Sequence, residues 1–185
     1  MLIDSAEAEF SAGLQELSAH YGMAVGDAAI NACVRHFQVL RKWNRVMNLV
    51  GDLTIESSIY RHYGESLFLA SSLSKDLRNV ADLGSGAGFP GIGVGAMHPG
   101  VQIELIEARH KRCAFLREST RSMPNVSVWN GVSDDYTGMT DMVVARAVDI
   151  GLVIDFADRR NVRIFLLIGE ADAKKWRSRL EAQDR

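Results

Sequence analysis

The chain has few cysteines, no long apolar run and no excess of basic residues, and each shortage excludes a class of protein. Its two cysteines, Cys33 and Cys113, are isolated and form no Cys-x-x-Cys pair, so we expect reduced thiols, no disulfide framework and no metal site. No apolar stretch approaches the roughly 18 residues of a membrane span, and the acidic, amphipathic N-terminus is unlike a signal peptide. These shortages predict a cytoplasmic protein without a membrane partner.

The charge balance argues against a surface that is basic throughout. The 21 Lys and Arg residues and 23 Asp and Glu residues give a net charge of −2, whereas chains that bind nucleic acid usually carry a basic excess. An RNA partner would therefore have to be met by a local patch. The candidate residues are Arg41, Lys42 and Arg45 on one predicted helix and Lys111 and Arg112 at the start of another. The alternative is that both groups are ordinary solvated helix faces.

Length and periodicity suit one compact unit with a helical first part. The 185 residues can bury a substantial core, and we expect a helical cap over residues 1–76 and an α/β core over 77–185. The first helix begins near Ser5 as its N-cap, a second carries an apolar stripe from Ile30 to Met47, and a third covers roughly 55–73. The residues on the inward face of the first helix are Phe10, Leu14, Leu17 and Tyr21.

Short apolar runs alternate with helical patterns in the rest of the chain. This alternation predicts βαβ units and a parallel sheet that is covered on both faces. The predicted strands are Asn79–Leu83, Val101–Ile106, Val126–Trp129, Met142–Ala145 and Val162–Ile168. The predicted helices between and after them cover about 89–97, 110–121, 150–158 and 170–182.

A glycine-rich segment after the first strand indicates a nucleotide cofactor. It runs Asp82-Leu83-Gly84-Ser85-Gly86-Ala87-Gly88-Phe89-Pro90-Gly91, and we expect its N–H groups and the next helix N-terminus to face a ligand. Gly86–Gly91 fits the dinucleotide pattern G-x-G-x-x-G, whereas Asp82–Gly88 fits D-x-G-x-G-x-G, which resembles motif I of class I S-adenosylmethionine (SAM) methyltransferases. A carboxylate at this place repels a pyrophosphate but attracts the cationic groups of SAM. The segment therefore favours SAM over NAD, and its predicted cofactor residues are Asp82, Gly84, Ser85, Gly86, Gly88 and Phe89.

Two later segments complete the predicted cofactor site. Glu107 ends the second strand about 20 residues after the loop, where a carboxylate can accept hydrogen bonds from both ribose hydroxyls; the alternative is that it caps the next helix. A polar turn follows the third strand, and in SAM enzymes this turn commonly holds the adenine. We expect Val132, Ser133 and Asp134 to serve there, although acids in a loop are often only solvated.

Several motifs together resemble the RsmG (GidB) family of small-subunit rRNA guanine-N7 methyltransferases. The glycine loop continues as GFPGI, similar to the family's G-[LF]-P-G-[IL]. Residues 42–49 read KWNRVMNL, similar to K-W-N-x-x-x-N-L, and residues 61–67 read RHYGESL, similar to R-H-x-x-[DE]-S-L. Residues 111–116 read KRCAFL, similar to K-R-x-x-F-L, and Ala145-Arg146-Ala147 resembles the family's S-R-A.

The chain also departs from the family pattern at three positions and at its end. Gly131 and Ser133 replace an arginine and a glutamate near the adenine turn, and Ile168 stands where the family usually has a lysine before glycine. The chain stops after the helix near residue 182, so we expect the sheet to lack the last two strands of such folds. The missing lysine bears on turnover more than on cofactor binding.

The resemblance implies a fold, an activity and a partner. The fold is α/β, a Rossmann-like class I SAM methyltransferase sheet with an N-terminal helical cap. The activity is SAM-dependent N7-methylation of a guanine in 16S rRNA, a step of rRNA processing on the small ribosomal subunit or its rRNA, by a monomer. The alternatives are a SAM-binding RNA or assembly factor without turnover, a small-molecule methyltransferase and an NAD-dependent oxidoreductase.

Guanine N7 chemistry needs alignment more than proton transfer. The N7 lone pair exists at neutral pH, so no general base is required and near-attack positioning does the work. No [DNS]-P-P-[YFW] motif and no Pro-Cys follow the fourth strand, which weighs against methylation of exocyclic amines or pyrimidine C5. By resemblance, Arg146 contacts SAM or the nucleotide as a positioning residue; the alternative is a salt bridge to Asp149 or Asp82. His62 is a candidate to stack on the target base; the alternative is a helix-capping or core histidine.

Overall fold

The computed structural model describes residues 4–74 and 76–183, with side chains described as far as residue 176. Its centre is a five-stranded sheet in the order β3-β2-β1-β4-β5, in which every neighbouring pair is parallel. The predicted α/β class with a parallel sheet is confirmed. The strands are β1 Asn79–Leu83, β2 Gln102–Glu107, β3 Val126–Asn130, β4 Met142–Arg146 and β5 Arg163–Leu167.

Helices precede the sheet and connect its strands. In the cap they are α1 Ser5–His20, α2 Asp27–Met47, α3 Ile55–Ser57, a π-helical segment Ser58–Gly64 and α4 Glu65–Ser71. In the core they are α5 Gly91–Met97, α6 His110–Ser119, α7 Ile150–Arg160 and α8 Glu170–Gln183, with a short 3-10 turn at Ser133–Asp135. The observed bounds lie within a few residues of the predicted ones.

The beginning and end of α1 correct the sequence expectation. Its N-cap is Asp4 and not Ser5: the Asp4 carboxylate accepts from the Glu7 N–H at 2.8 Å, while Glu7 accepts from the Asp4 N–H at 3.2 Å. Ser, Thr, Asp and Asn all suit this place, so the pattern alone was ambiguous by one residue. Tyr21 lies beyond the last helical turn and is 59% exposed, so it is not on the buried face.

The predicted third helix is interrupted by the π-helical segment. The helical path changes from α to π at Ser58 and returns to α at Glu65. A π-helix has an extra residue in each turn and is frequent at functional sites. Here Tyr63 is completely buried while His62 lies on the side of the segment that faces the sheet's carboxyl edge. The segment therefore places two adjacent aromatic side chains in different surroundings.

One buried cluster joins the cap to the sheet. Phe10 and Phe37 of the cap stack at a centroid distance of 4.2 Å, and they belong to the same cluster as Leu105 of β2 and Val144 of β4. A smaller cluster covers the other face of the sheet, under α7. Helices therefore cover both sheet faces as the strand alternation predicts, and the division at residues 76 and 77 stays a prediction.

A polar pair is enclosed within this apolar cluster. His36 Nδ1 lies 2.6 Å from the Tyr63 hydroxyl, and both residues are fully buried. Burial lowers the pKa of His36 to about 3, so its imidazole is neutral, and it raises the pKa of Tyr63 well above its usual value. The contact satisfies His36 Nδ1 and the Tyr63 hydroxyl, which removes the cost of leaving these two buried groups unpaired, whereas His36 Nε2 has no partner among the described residues.

We expect Tyr63→Phe to destabilise the fold by about 1–3 kcal/mol, because it leaves Nδ1 of the His36 ring buried without its partner. The measurement is the free energy of unfolding by urea denaturation, followed by circular dichroism. Tyr60→Phe is the matched control, since Tyr60 is 56% exposed on the same segment, and it should change stability by less than about 0.5 kcal/mol. Equal stability of the two variants would contradict the role given to the buried pair.

Candidate functional site

The glycine loop lies where the order of the strands reverses direction. β1 has β2 on one side and β4 on the other, and the chain crosses from one side to the other after β3. In open α/β sheets, ligands bind outside the carboxyl ends of the strands at such a point. Gly84 adopts φ +70, and a Cβ there would lie 2.7 Å from a Val148 methyl. The loop thus passes against the segment that follows β4.

Asp82 is enclosed beneath the loop. Its Oδ2 accepts from the Gly91 N–H at the start of α5 at 2.9 Å, and its backbone carbonyl accepts from the Ser85 hydroxyl at 2.8 Å. The carboxylate is fully buried, and Oδ1 has no hydrogen-bond partner among the described residues. Burial raises the pKa of the Asp82 carboxyl to about 7, against the lowering effect of the Gly91 hydrogen bond. Its contact with a cofactor stays a prediction.

The loop N–H groups are bound more fully than the sequence suggests. Gly84 and Ser85 donate to the Ile106 carbonyl at 2.9 and 3.1 Å, and Gly86 donates to Glu107 Oε2 at 3.0 Å. Together with the Gly91 contact to Asp82, these bonds correct the expectation that the N–H groups of the loop and of the helix start face a ligand. Periodicity locates a loop but does not reveal which carboxylates its donors reach.

Glu107 sits at the end of β2 beside the loop, 5% exposed. Its second oxygen, Oε1, accepts from the N–H of Arg109, the N-cap residue of α6, at 2.8 Å, and Arg112 Nη1 lies 3.7 Å from Oε2. The capping alternative therefore describes one of its two oxygens. An ionised carboxylate has about four acceptor positions, so Glu107 retains capacity to accept from a ribose hydroxyl, which stays a prediction.

The predicted adenine turn lies next to Glu107. Gly131 donates its N–H to the Glu107 carbonyl at 3.1 Å. Val132 is half exposed, Ser133 is buried, and Asp134 is paired with Arg159 at 2.7 Å. The turn thus presents the apolar side chain of Val132 to solvent beside the carboxyl end of β2. The adenine contacts of these three residues stay predictions.

Arg146 closes the other side of the loop. It ends β4 and is followed by Ala147, which adopts φ +55, a rare conformation for a residue with a side chain. Its Nη2 lies 3.2 Å from Glu65 Oε2, so the alternative of a salt bridge to Asp149 or Asp82 is wrong in its partner, while the predicted contact with SAM or the nucleotide stays a prediction. Asp149 instead caps α7 through the Leu152 N–H at 3.0 Å. Burial lowers the pKa of the half-buried Arg146 guanidinium.

His62 links Arg146 to the glycine loop. Its ring stacks on Phe89 at a centroid distance of 5.4 Å, so one face of the candidate base-stacking ring is covered by the protein itself. Its Nδ1 lies 3.4 Å from Arg146 Nη1 and its Nε2 lies 2.9 Å from the Asp52 carbonyl. The Nε2–H tautomer satisfies both contacts. Burial, and to a lesser extent Arg146, lower the pKa of His62.

Phe89 of the glycine loop packs against aromatic side chains of the cap. Its ring lies in edge-to-face contact with Tyr63 and His36, at centroid distances of 4.9 and 5.5 Å. The side chain is buried, so any cofactor contact of Phe89, which stays a prediction, would have to come from its backbone. The Phe-Pro-Gly extension of the loop therefore connects cofactor loop and cap.

An open cleft of about 980 Å³ adjoins the loop at the carboxyl ends of β4 and β5. Its lining combines charged side chains with the backbone after β4, and includes Arg61, Glu65, Arg146, Val148, Ile168 and Lys175. Sequence reasoning missed Glu65 as a site residue. The signal was present, because Glu65 occupies the acidic position of the R-H-x-x-[DE]-S-L motif.

The predicted RNA-contact residues lie in two settings. Lys42, Arg45 and Lys111 are exposed, whereas Arg41 pairs with Asp4 at 3.0 Å and Arg112 leans toward Glu107. Their RNA contacts stay predictions.

Within residues 4–74 and 76–183, no cluster of three His, Cys, Asp or Glu side chains could hold a metal ion. Over the same ranges, no helix combines the length and apolarity of a membrane span.

Comparison with known proteins points to one family. The sequence model described as GidB, rRNA small subunit methyltransferase G, matches residues 29–180. Proteins named ribosomal RNA small subunit methyltransferase G from Nitrosomonas europaea and Caulobacter vibrioides are each 36% identical, over 62% and 74% of this chain and 54% and 62% of their own lengths. One from Acetivibrio thermocellus is 30% identical over 79% of this chain and 64% of its own. The chain thus spans between about half and two thirds of these relatives' lengths.

Solved structures show the same fold at low identity. A precorrin-6y C5,15-methyltransferase from Geobacter metallireducens is 17% identical with a TM-score of 0.53, covering 74% of this chain and 73% of its own. The methyltransferase PaMTH1 from Podospora anserina, solved with bound SAH, is 13% identical with a TM-score of 0.54, covering 82% and 68%. The sheet and its flanking helices are therefore those of a known methyltransferase fold.

The buried Asp82 carboxyl predicts a pH-dependent stability. Its folded pKa, about 7, lies above the ordinary value of an aspartate, so its contribution is fully present below about pH 4 and is lost as pH rises to about 7. Asp82→Asn keeps an oxygen acceptor for Gly91 but cannot ionise. We expect wild type to lose stability relative to this variant between pH 4 and 7, measured by urea unfolding at several pH values. A difference that does not vary with pH would refute the raised pKa.

Proposed function

The chain belongs to the GidB family of rRNA small subunit methyltransferase G, and from this premise we propose that it transfers a methyl group from SAM to N7 of a guanine in 16S rRNA. The partner is the small ribosomal subunit or its rRNA. We infer further that the protein acts in the cytoplasm as a monomer, in rRNA processing.

The single observation that carries the proposal is the contact between Glu107 and the glycine loop. A carboxylate at the end of β2 lies 3.0 Å from the Gly86 N–H, at the point where the strand order reverses. A ribose seated there would find both the loop backbone and an acceptor for its hydroxyls. This arrangement supports a nucleoside-containing cofactor.

The position of Asp82 favours SAM over NAD. Its carboxylate occupies the beginning of α5, where the N–H of Gly91 would otherwise be offered to a phosphate. A pyrophosphate would therefore meet an acidic group instead of a free helix N-terminus. The Asp82 oxygen without a partner among the described residues leaves an acceptor beneath the loop, which suits a cationic cofactor group better than a pyrophosphate.

The surrounding residues would each bind or orient. Glu107 would hold the ribose, the turn from Val132 to Asp134 the adenine, and backbone carbonyls of the loop the ammonium group of the methionine part, since the loop N–H groups are already bound. When bound, SAM supplies an activated methyl group. Arg146 stands at the opposite side of the loop, beside the cleft, where it would orient the incoming nucleotide. Because guanine N7 needs no deprotonation, alignment of the base is the main requirement.

A second candidate function is SAM binding without turnover, as an RNA or assembly factor. The observation that favours it is Ile168, which lines the cleft at the end of β5 where the family pattern usually has a lysine. An aliphatic side chain cannot donate a hydrogen bond to a base or phosphate. Binding of the cofactor would be retained in this case, while methyl transfer would be absent.

We expect Glu107→Gln to weaken binding of S-adenosylhomocysteine by roughly tenfold to a hundredfold, because an amide offers one acceptor oxygen in place of two and loses the charge. Isothermal titration calorimetry measures the affinity. Glu104→Gln is the matched control on the same strand, where Glu104 bonds to Ser127 at 2.9 Å, away from the loop. Equal affinities of the two variants would remove the ribose role.

Transfer of an isotope-labelled methyl group tests the activity itself. We expect label from SAM to appear on a guanine of small subunits that lack the modification. Subunits already modified at that guanine should take up no label. Nuclease digestion and mass spectrometry identify the labelled base as 7-methylguanine. Cofactor binding without any label on guanine would favour the second candidate and rule out the first.

A further inference from the structure

Glu65 places an acidic group on the wall of the cleft beside the glycine loop. It is the first residue of α4, directly after the π-helical segment, and its side chain is 44% exposed. Its Oε2 lies 3.2 Å from Arg146 Nη2, so acceptor and donor stand side by side on one wall. Neither the cofactor contacts nor the alignment of N7 requires a carboxylate here.

The hydrogen-bonding groups of guanine complement a carboxylate beside a guanidinium. The Watson–Crick edge of guanine presents two adjacent donors, N1–H and the exocyclic N2–H, beside the acceptor O6, whereas adenine presents the acceptor N1 beside one donor, its 6-amino group. Guanine N7 is an acceptor on the other edge, next to O6. An ionised carboxylate is an acceptor only. It can therefore pair with both donors of guanine, but with only one of adenine, where its second oxygen would face the N1 lone pair.

We propose that Glu65 and Arg146 form a guanine-selective subsite, in which the Glu65 carboxylate accepts from N1–H and N2–H and the Arg146 guanidinium donates to O6. This inference rests on the proposed function, whose reaction requires guanine. Its new content is that Glu65 reads the Watson–Crick edge of an unpaired base. N7 lies on the opposite edge of the purine and stays free for the methyl group.

The neighbouring structure holds the pair at the correct side of the loop. Arg146 is steadied by His62 at 3.4 Å, and His62 is in turn stacked on Phe89 of the loop. Val148, two residues after Arg146, touches the loop at Gly84 and lines the same cleft. A base bound by Glu65 and Arg146 would therefore lie next to the loop. Arg61 and Lys175 line the cleft too and offer cations for the nucleotide's phosphate.

The carboxylate would also assist the reaction. Methylation at N7 gives the purine a positive charge, which makes N1–H and N2–H stronger donors. Their hydrogen bonds to Glu65 then strengthen as the methyl group is transferred, and an interaction that is stronger in the transition state raises the rate. The proton at N1 stays on the base, and the only bonds that change are those of the transferred methyl.

A simpler role for Glu65 would be to hold Arg146 in place. Such a role affects GMP and IMP equally, because both bases carry the O6 that Arg146 would meet. The preference for GMP over IMP therefore separates the two roles. Inosine monophosphate sharpens the comparison, since its base has N1–H, O6 and N7 but lacks the exocyclic amine.

The test measures binding of GMP, IMP and AMP to the S-adenosylhomocysteine complex by NMR titration. We expect wild type to prefer GMP over AMP by roughly tenfold or more and over IMP by a few-fold. Glu65→Gln should bring all three affinities to within about twofold, while its affinity for S-adenosylhomocysteine is unchanged. Glu56→Gln, an exposed carboxylate of α3, is the control and should keep the preference.

Each result decides for or against the subsite. Wild type without preference for GMP, or Glu65→Gln with the preference intact, overturns the inference. Equal weakening of GMP and IMP by Glu65→Gln, with the preference between them intact, overturns it in favour of the Arg146-holding role. The outcome is independent of the methyl-transfer assay: guanine selectivity that depends on Glu65 would stand even if no label reached rRNA, and labelled rRNA with no effect of Glu65→Gln would leave the proposed function without this subsite.

Discussion

Two carboxylates hold the glycine loop from different sides, and the geometry of the site depends on them. Asp82 binds the Gly91 N–H at the loop's end, and Glu107 binds the Gly86 N–H in its middle. Each comes from the end of a different strand, so the loop is fixed to the sheet itself and not only to its flanking residues. The cost is electrostatic, because Asp82 is buried with one oxygen unpaired among the described residues. Buried polar groups that lack a hydrogen-bond partner call for an explanation, and a position at a ligand site provides one.

The cap contributes to the site through one aromatic contact network. Phe89 inserts between Tyr63 and His62, whose positions depend on the change from α- to π-helical path. His62 then contacts Arg146, so the glycine loop and Arg146 share a neighbour. The cap is therefore part of the site's framework, although the side chains with chemistry at the cleft come from both parts of the chain.

The fold and the glycine loop could be predicted from the sequence because both leave local patterns in it. Strand alternation predicts a parallel sheet, and the spacing of Asp82, the glycines and Glu107 predicts a nucleotide site without knowledge of contacts. The ion pair between Arg146 and Glu65 was not foreseen, because Glu65 lies 81 residues away in the chain and only tertiary packing brings the two together. The occupied loop N–H groups were missed for the same reason. The π-helical segment has no distinct signal in the sequence, since its residues keep a helical apolar pattern.

The core shared by cap and sheet also sets the order in which the chain can become stable during synthesis. Phe10 and Phe37 leave the ribosome early, but the cluster that buries them includes Leu105, Phe115 and Val144. Until those residues have emerged, the apolar face of α1 and α2 has little to pack against. The nascent cap must therefore wait for more than half of the protein to be made, exposed to chaperones and to other apolar surfaces. The first stable packing of the cap therefore comes only after β4 has been synthesised.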